Sequence, residues 1–213
     1  MPSFSAIIAR STIALIVAAA ASSANGGMDL TPAVSEYVAE GAKFQQLTFQ
    51  YNKQQIEYEP PTGWKFDGGP KQLHLKPPQK NFAEATIEVS ALDKPQPLDE
   101  NAHKVLKEQI LASLPVGSQF AKVEEEATNP VLLNGNESFE VTVSYQSIGE
   151  KFFKSALFVN LKDTQLKFRL TARKDDFQAL HREFKSSILS WHWRDENEAP
   201  AQPGKAGSVA TAP

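Results

Sequence analysis

The stretch Phe152-Phe153-Lys154-Ser155-Ala156-Leu157-Phe158-Val159-Asn160-Leu161 decides the fold class. Side chains of a strand alternate between two faces. Phe153, Leu157 and Val159 take one face, and Phe152, Ala156 and Phe158 the other. A strand apolar on both faces belongs inside a sheet that is covered on both sides.

Its neighbours repeat the period of two. Phe139, Val141, Val143 and Tyr145 alternate with Glu140, Thr142 and Ser144 before it. Leu166, Phe168, Leu170 and Ala172 alternate with Lys167, Arg169 and Thr171 after it. Short connections between such runs predict an antiparallel meander. A further run, Phe120 to Ala127, is broken by Glu124, Glu125 and Glu126 and reads as an edge or solvated strand. In a regular strand Glu124 and Glu126 share a face, roughly 7 Å apart. Two carboxylates fall short of the six or more oxygens that calcium takes. The triplet therefore reads as an acidic edge that resists strand addition.

Two helices flank the meander. The first is predicted from Asp99 to Ser113, with Asp99 as N-cap and Ala102, Val105, Leu106, Ile110 and Leu114 as its buried stripe. Pro115 and Gly117 stop it. The second starts at Asp175, with Gln178 at capping-box spacing, and ends near Trp193. Phe177, Leu180, Phe184, Ile188 and Trp191 form its stripe.

Upstream lie four or five short strands. Leu47, Phe49 and Tyr51 alternate with polar residues, and Ile56-Glu57-Tyr58 reads as a hairpin partner. Trp64 and Phe66 open another strand after Pro60-Pro61-Thr62-Gly63, and Leu73 and Leu75 flank His74 in the next. Ala83, Ala85, Ile87, Val89 and Ala91 then face one way, with Glu84, Thr86, Glu88 and Ser90 facing the other. Strands in runs with two helices predict an α+β domain: a central antiparallel sheet with a helix layer on each face, an α/β/α sandwich.

This order resembles the PsbP-like fold family over roughly residues 43–193. The resemblance rests on Pro61-Thr62-Gly63-Trp64 opening a strand, the helix at 99–114, the meander from 136 to 172 and the closing helix ending at Phe184 to Trp193. It implies an α/β/α sandwich and non-enzymatic accessory or binding work. That family includes an extrinsic photosystem subunit, a nuclear import factor and exported bacterial proteins. A fold does not carry function with it, and no family binding residue is matched to a position here.

The ends read differently from the middle. Residues 1–24 read as a signal peptide: Arg10, then an aliphatic run from Ile13 to Ala21, then Ser22-Ser23-Ala24 with cleavage expected after Ala24. The run is shorter than the roughly 20 apolar residues of a membrane span; retention as an uncleaved anchor is the other reading. Residues 25–42 read as a leader or linker, with Pro32 to Ala39 as a candidate short helix. A single domain at 43–193 follows. From Arg194 to Pro213, rich in Ala, Pro, Gly and Ser, the chain reads as a disordered tail. The 213 residues hold no cysteine and carry a net charge of −3. Thiol chemistry and disulfides are excluded, and no basic stripe for nucleic acid is present. An exported protein, periplasmic or secreted, is expected, with no membrane span in the mature chain.

No enzyme signature stands out. The histidines His74, His103, His181 and His192 lack metal-ligand spacing, and no Gly-x-Ser-x-Gly elbow occurs. His181 is expected at a packing boundary, and His103 on the polar side of its helix. No cofactor or metal is expected. Trp191-His192-Trp193 is the most unusual local feature, and together with Trp64 it supplies the candidate binding residues. The function expected is an exported, non-enzymatic accessory or binding domain acting on an envelope protein or complex. The alternative is a small-ligand or cation-binding periplasmic protein, and an enzyme ranks behind both.

Overall fold

A computed structural model of the chain describes residues 27–39, 41–52 and 54–195. The expected signal peptide and the tail beyond residue 195 lie outside the described residues. Six strands come first: β1 (Met28–Ala39), β2 (Ala42–Tyr51), β3 (Gln54–Tyr58), β4 (Lys65–Gly69), β5 (Gln72–Lys76) and β6 (Glu84–Ala91). Helix α1 (Glu100–Ala112) leads to β7 (Gln119–Thr128), β8 (Ser138–Ser147), β9 (Glu150–Asn160) and β10 (Thr164–Arg173). Helix α2 (Lys174–Ile188) and β11 (His192–Asp195) close the chain.

The expected α/β/α sandwich is corrected. The strands form two sheets, one of seven in the order β4-β5-β6-β10-β9-β8-β7 and one of four in the order β1-β2-β3-β11, with two helices among the described residues. The fold is β-rich. Two segments make the difference. The leader at 25–42, with its short helix, holds instead β1, which pairs antiparallel with β2. The second helix stops at Ile188 rather than near Trp193, and the chain turns into β11 against β3. The expected domain start at residue 43 and the tail start at residue 194 therefore each cut through a strand, since the paired framework runs from Met28 to Asp195. The period of two across Leu47 to Tyr58 is right for strands, but periodicity does not say which sheet a strand joins.

One face of the seven-stranded sheet carries the main core. Leu73 and Leu75 of β5, Ala85 and Ile87 of β6, Leu166, Phe168 and Leu170 of β10, and Leu157 and Val159 of β9 are all buried there. Helix α2 covers β9 and β10 with Phe177, Leu180, Phe184 and Ile188. The small sheet adds Leu47, Phe49, Ile56 and Tyr58 to the same core, and Leu30 of β1 donates its backbone N–H to the Pro70 carbonyl at 3.0 Å. Lys174 opens α2 after Arg173, so Asp175 sits inside the first turn, where it complements the helix dipole, rather than capping it.

The opposite face is covered only in part. Leu106 and Ile110 of α1 pack on Phe139, Val141, Val143, Ala156 and Phe158 of β8 and β9. Asp99 caps the helix by accepting from the Ala102 N–H at 2.9 Å. Val105 is exposed, and His103, expected on the polar side, instead stacks on Phe139 with centroids 3.9 Å apart. At the far end Lys154, buried among these residues, donates to the Ser113 carbonyl at 2.9 Å, placing an ammonium at the helix C-terminus. Burial and the nearby Arg169 charge push that ammonium down to about 8.

Candidate functional site

A groove of about 980 Å³ opens where α2 meets the small sheet and the loop after β3. Its floor is the outer side of α2, with Ala179, Arg182, Glu183 and Ser186. One wall is the β1–β2 hairpin, which contributes Glu36, Lys43 and Gln45; the other is Glu59-Pro60-Pro61-Thr62-Gly63.

The loop is held at both ends. Ser190 accepts the Glu59 N–H at 2.8 Å, and the Tyr58 hydroxyl meets Ser187 at 2.9 Å. At the other end the Trp64 N–H donates to the Pro61 carbonyl at 3.0 Å, closing a tight turn. Gly63 sits at φ +79 in that turn, a left-handed conformation that favours glycine. The turn aims Trp64 inward, where it stacks on Phe184 at 6.2 Å and donates its indole N–H to Glu183 at 3.2 Å.

Three carboxylates line this groove, and each is held by a neutral donor. Glu183 accepts from Trp64, Glu59 from the Tyr37 hydroxyl at 2.8 Å, and Glu36 from Gln45 at 3.4 Å. Burial and the Glu59 carboxylate push the Tyr37 phenol up to about 12, so it stays a donor. Among the described residues none of the three carboxylates forms an ion pair, and neither do Lys43 and Arg182. The groove thus presents charges that the fold does not neutralise.

The candidate binding residues read from the sequence fall in two places. Trp64 is buried beneath the groove as its support. Trp191 lies beyond the end of α2, not on the helix, and is buried against Phe49, Tyr58 and Phe168. Trp193, on β11, is half-buried with its ring 6.3 Å from that of Trp191. His192 is exposed opposite Glu57. The structure brings Trp191 and Trp193 together and leaves Trp64 apart from them.

A second polar cluster was not legible in the sequence. Glu140 of β8 is buried under α2. One oxygen accepts from Ser155 at 2.8 Å and lies 2.6 Å from His181 Nε2; the other accepts from Lys185 at 2.6 Å. Burial alone would raise this carboxyl, but the His181 and Lys185 contacts outweigh it and hold it at about 2. His181 also stacks on Phe177 at 5.2 Å, so its boundary packing role is met together with an ion-pair geometry. The cavity beside the cluster, about 10 Å³, leaves no room for a substrate. The only sequence signal is His181 and Lys185 at i and i+4 on one helix side.

Edge strand β7 carries the acidic triplet. A bulge between Val123 and Glu125 shifts the register, so Glu124 reaches Ser144 at 2.7 Å while Glu126 reaches Lys107 of α1. The expected shared face for Glu124 and Glu126 is thus corrected: the extra residue sends them to opposite sides of the sheet. Among the described residues no three His, Asp or Glu side chains gather as metal ligands.

No family model matches the sequence, and no curated protein matches it. Three of the solved structures similar to this chain are the following. A protein of unknown function from Pseudomonas aeruginosa, PA94, has 14% identity and a TM-score of 0.44 over 73% of this chain and 93% of its own. LpqN of Mycobacterium tuberculosis, involved in cell envelope biogenesis, has 16% identity and a TM-score of 0.45 over 66% of this chain and 83% of its own. Cyanobacterial PsbP from Synechocystis sp. PCC 6803 has 14% identity and a TM-score of 0.45 over 65% of this chain and 86% of its own. A PsbP structure stands among these neighbours. At these values no residue role or activity passes to this chain. Among the described residues no helix is long and apolar enough to cross a membrane.

Proposed function

We propose that this chain is an exported, non-enzymatic binding domain that engages an envelope protein or complex at the groove between α2 and the β1–β2 hairpin. The observation that carries this reading is the set of charges without ion-pair partners among the described residues: Glu36, Glu59 and Glu183 on neutral donors, with Lys43 and Arg182 beside them. Ordered polar groups aimed at open space orient a partner and set the salt dependence of its arrival. Export is inferred from residues 1–24.

The test places a photo-crosslinking residue at Arg182 and, separately, at Glu100 on α1, in the native envelope. A discrete adduct from the Arg182 position, absent from Glu100, is the expected result. Adducts from Glu100 alone would move the interface to another face and sink the reading. The groove volume of about 980 Å³ also fits the range of small-molecule sites. A thermal shift produced by a low-molecular-weight extract, with no adduct from Arg182, would favour that second reading.

A further inference from the structure

Two sheets have four edges, and three of them are guarded against strand addition. Strand β7 carries two register breaks and three glutamates. Strand β4 has five residues, ends on Gly68 and Gly69, and runs into Pro70. Strand β11 has four residues among the described ones, with Arg194 paired to Glu57 on the neighbouring strand. Irregularity, charge and shortness are the ordinary means by which edges avoid pairing with other chains.

The fourth edge lacks them. After its irregular start, between Asp29 and Ala33, β1 runs in unbroken register from Ala33 to Ala39 against β2. That stretch contains no proline and one charged residue, Glu36. Among the described residues no backbone hydrogen bond outside the β1–β2 ladder reaches Ala33 to Ala39. Val34 and Val38 flank Glu36 at two-residue spacing on the same side of the strand, and are 48% and 65% exposed. Two exposed β-branched residues on either side of a lone carboxylate make a pattern that a neighbouring strand can read.

Glu36 joins this edge to the groove. Its backbone lies on the open strand and its side chain on the groove wall, where Gln45 donates to it at 3.4 Å. We propose that a partner adds a strand to the outer edge of β1 between Ala33 and Ala39. On the groove side that segment carries Lys or Arg opposite Glu36, with apolar residues two positions to either side, opposite Val34 and Val38. Main-chain hydrogen bonds then supply affinity and the alternating side chains specificity, as in other strand-addition complexes. This proposal rests on the groove as the binding site and names how the site is used.

The probe is the palindromic peptide acetyl-Thr-Val-Thr-Lys-Thr-Val-Thr-amide, with a Glu-centred counterpart and two forms N-methylated at complementary sets of alternate residues. Binding to the full chain is read by fluorescence anisotropy. The Lys peptide is expected to bind at least tenfold more tightly than the Glu peptide, and Glu36→Lys to reverse that order. One N-methylated set is expected to lose binding tenfold or more. Glu36 is exposed, and a thermal melt of Glu36→Lys confirms that it folds. Equal binding of all four peptides, or none of any, overturns the proposal. So does a concentration-dependent dimer in sedimentation that Ser35→Pro dissolves, since a second copy would then occupy the edge. If the peptide pattern fails while Arg182 still gives its envelope adduct, strand addition falls and the groove reading stands.

Discussion

The two faces of the seven-stranded sheet are built from the same strands and end in different states. On the α2 side, apolar residues are buried from β5 through β6 and β10 to β9, under a helix and a second sheet. On the α1 side, the buried apolar strand residues are confined to β8 and β9; across β6 and β10 the face carries Glu84, Thr86, Glu88, Lys167 and Arg169, of which Thr86 alone is buried. Strand β10 shows both in one sequence, with Leu166, Phe168, Leu170 and Ala172 buried and Gln165, Lys167, Arg169 and Thr171 half-buried. The difference shows where stability is concentrated. Apolar surface stabilises only where a second layer excludes water.

The largest expected effect tests that asymmetry directly. Trp191 is 5% exposed and touches Phe49, Tyr58 and Phe168, joining the two sheets. Trp191→Ala should cost about 4 kcal/mol, as for a buried aromatic truncation. Ile110→Ala, on the α1 side, should cost about 2 kcal/mol, because its layer has one helix to relax. Urea unfolding compares them. Equal losses would mean that the two faces contribute alike and would break the comparison.

The next effect lies in acid. Glu140, on the α2 side, falls from 4.5 when unfolded to about 2 when folded. The unfolded chain therefore takes up the proton first as pH drops. The stability that this carboxylate contributes is complete above about pH 4.5 and is lost between there and pH 2. Glu140→Gln should remove on the order of 2 kcal/mol of the fall in stability across that window. An unchanged acid transition in the variant would place the acid-sensitive contact elsewhere.

The same asymmetry explains what could be read from the sequence. Period two marked the meander and both faces of β9, and helical spacing marked the α2 stripe from Phe177 to Ile188. Those signals are strong because the residues are buried along whole elements. Strand β1 was missed because Val34 and Val38 stay exposed, so burial leaves no period there. Strand β11 was missed because Trp191 continues the helical spacing by coincidence, three residues after Ile188, although the helix has ended. His103 was misplaced because it fills an apolar position by stacking on Phe139, where hydropathy favoured Val105. The groove was least legible. Its carboxylates come from the β1–β2 hairpin, the loop after β3 and helix α2, and only the Gly63 turn announced one wall of it.

That turn gives the third prediction. Gly63, at φ +79, has open space where a side chain would begin, so Gly63→Ala meets backbone strain and not a clash. The cost should be about 1 kcal/mol, read by thermal unfolding. Binding by the Lys peptide should weaken along with it if the Trp64 turn sets the groove wall. Unchanged binding would assign recognition to the β1 edge alone.

The smallest effect is expected on the uncovered half of the α1 side, and it bears hardest on the comparison. Glu88 meets Lys167 and Arg169 of the adjacent strand there, and Gln72 and Thr86 donate to the same carboxylate. Burial opposes its charge, but the Lys167 and Arg169 contacts outweigh burial and hold the carboxyl below its ordinary value. Its side chain is 23% exposed, so water and salt reach the cluster. Partly solvated ion pairs contribute little, because each charge gives up hydration nearly equal to what it gains. Glu88→Gln should therefore cost less than about 1 kcal/mol at low salt and still less at high salt. A loss matching that of Ile110→Ala, and insensitive to salt, would show that this half of the face is held together from within. A small, salt-sensitive loss would show instead that its charges face the solvent, with the fold held from the other side.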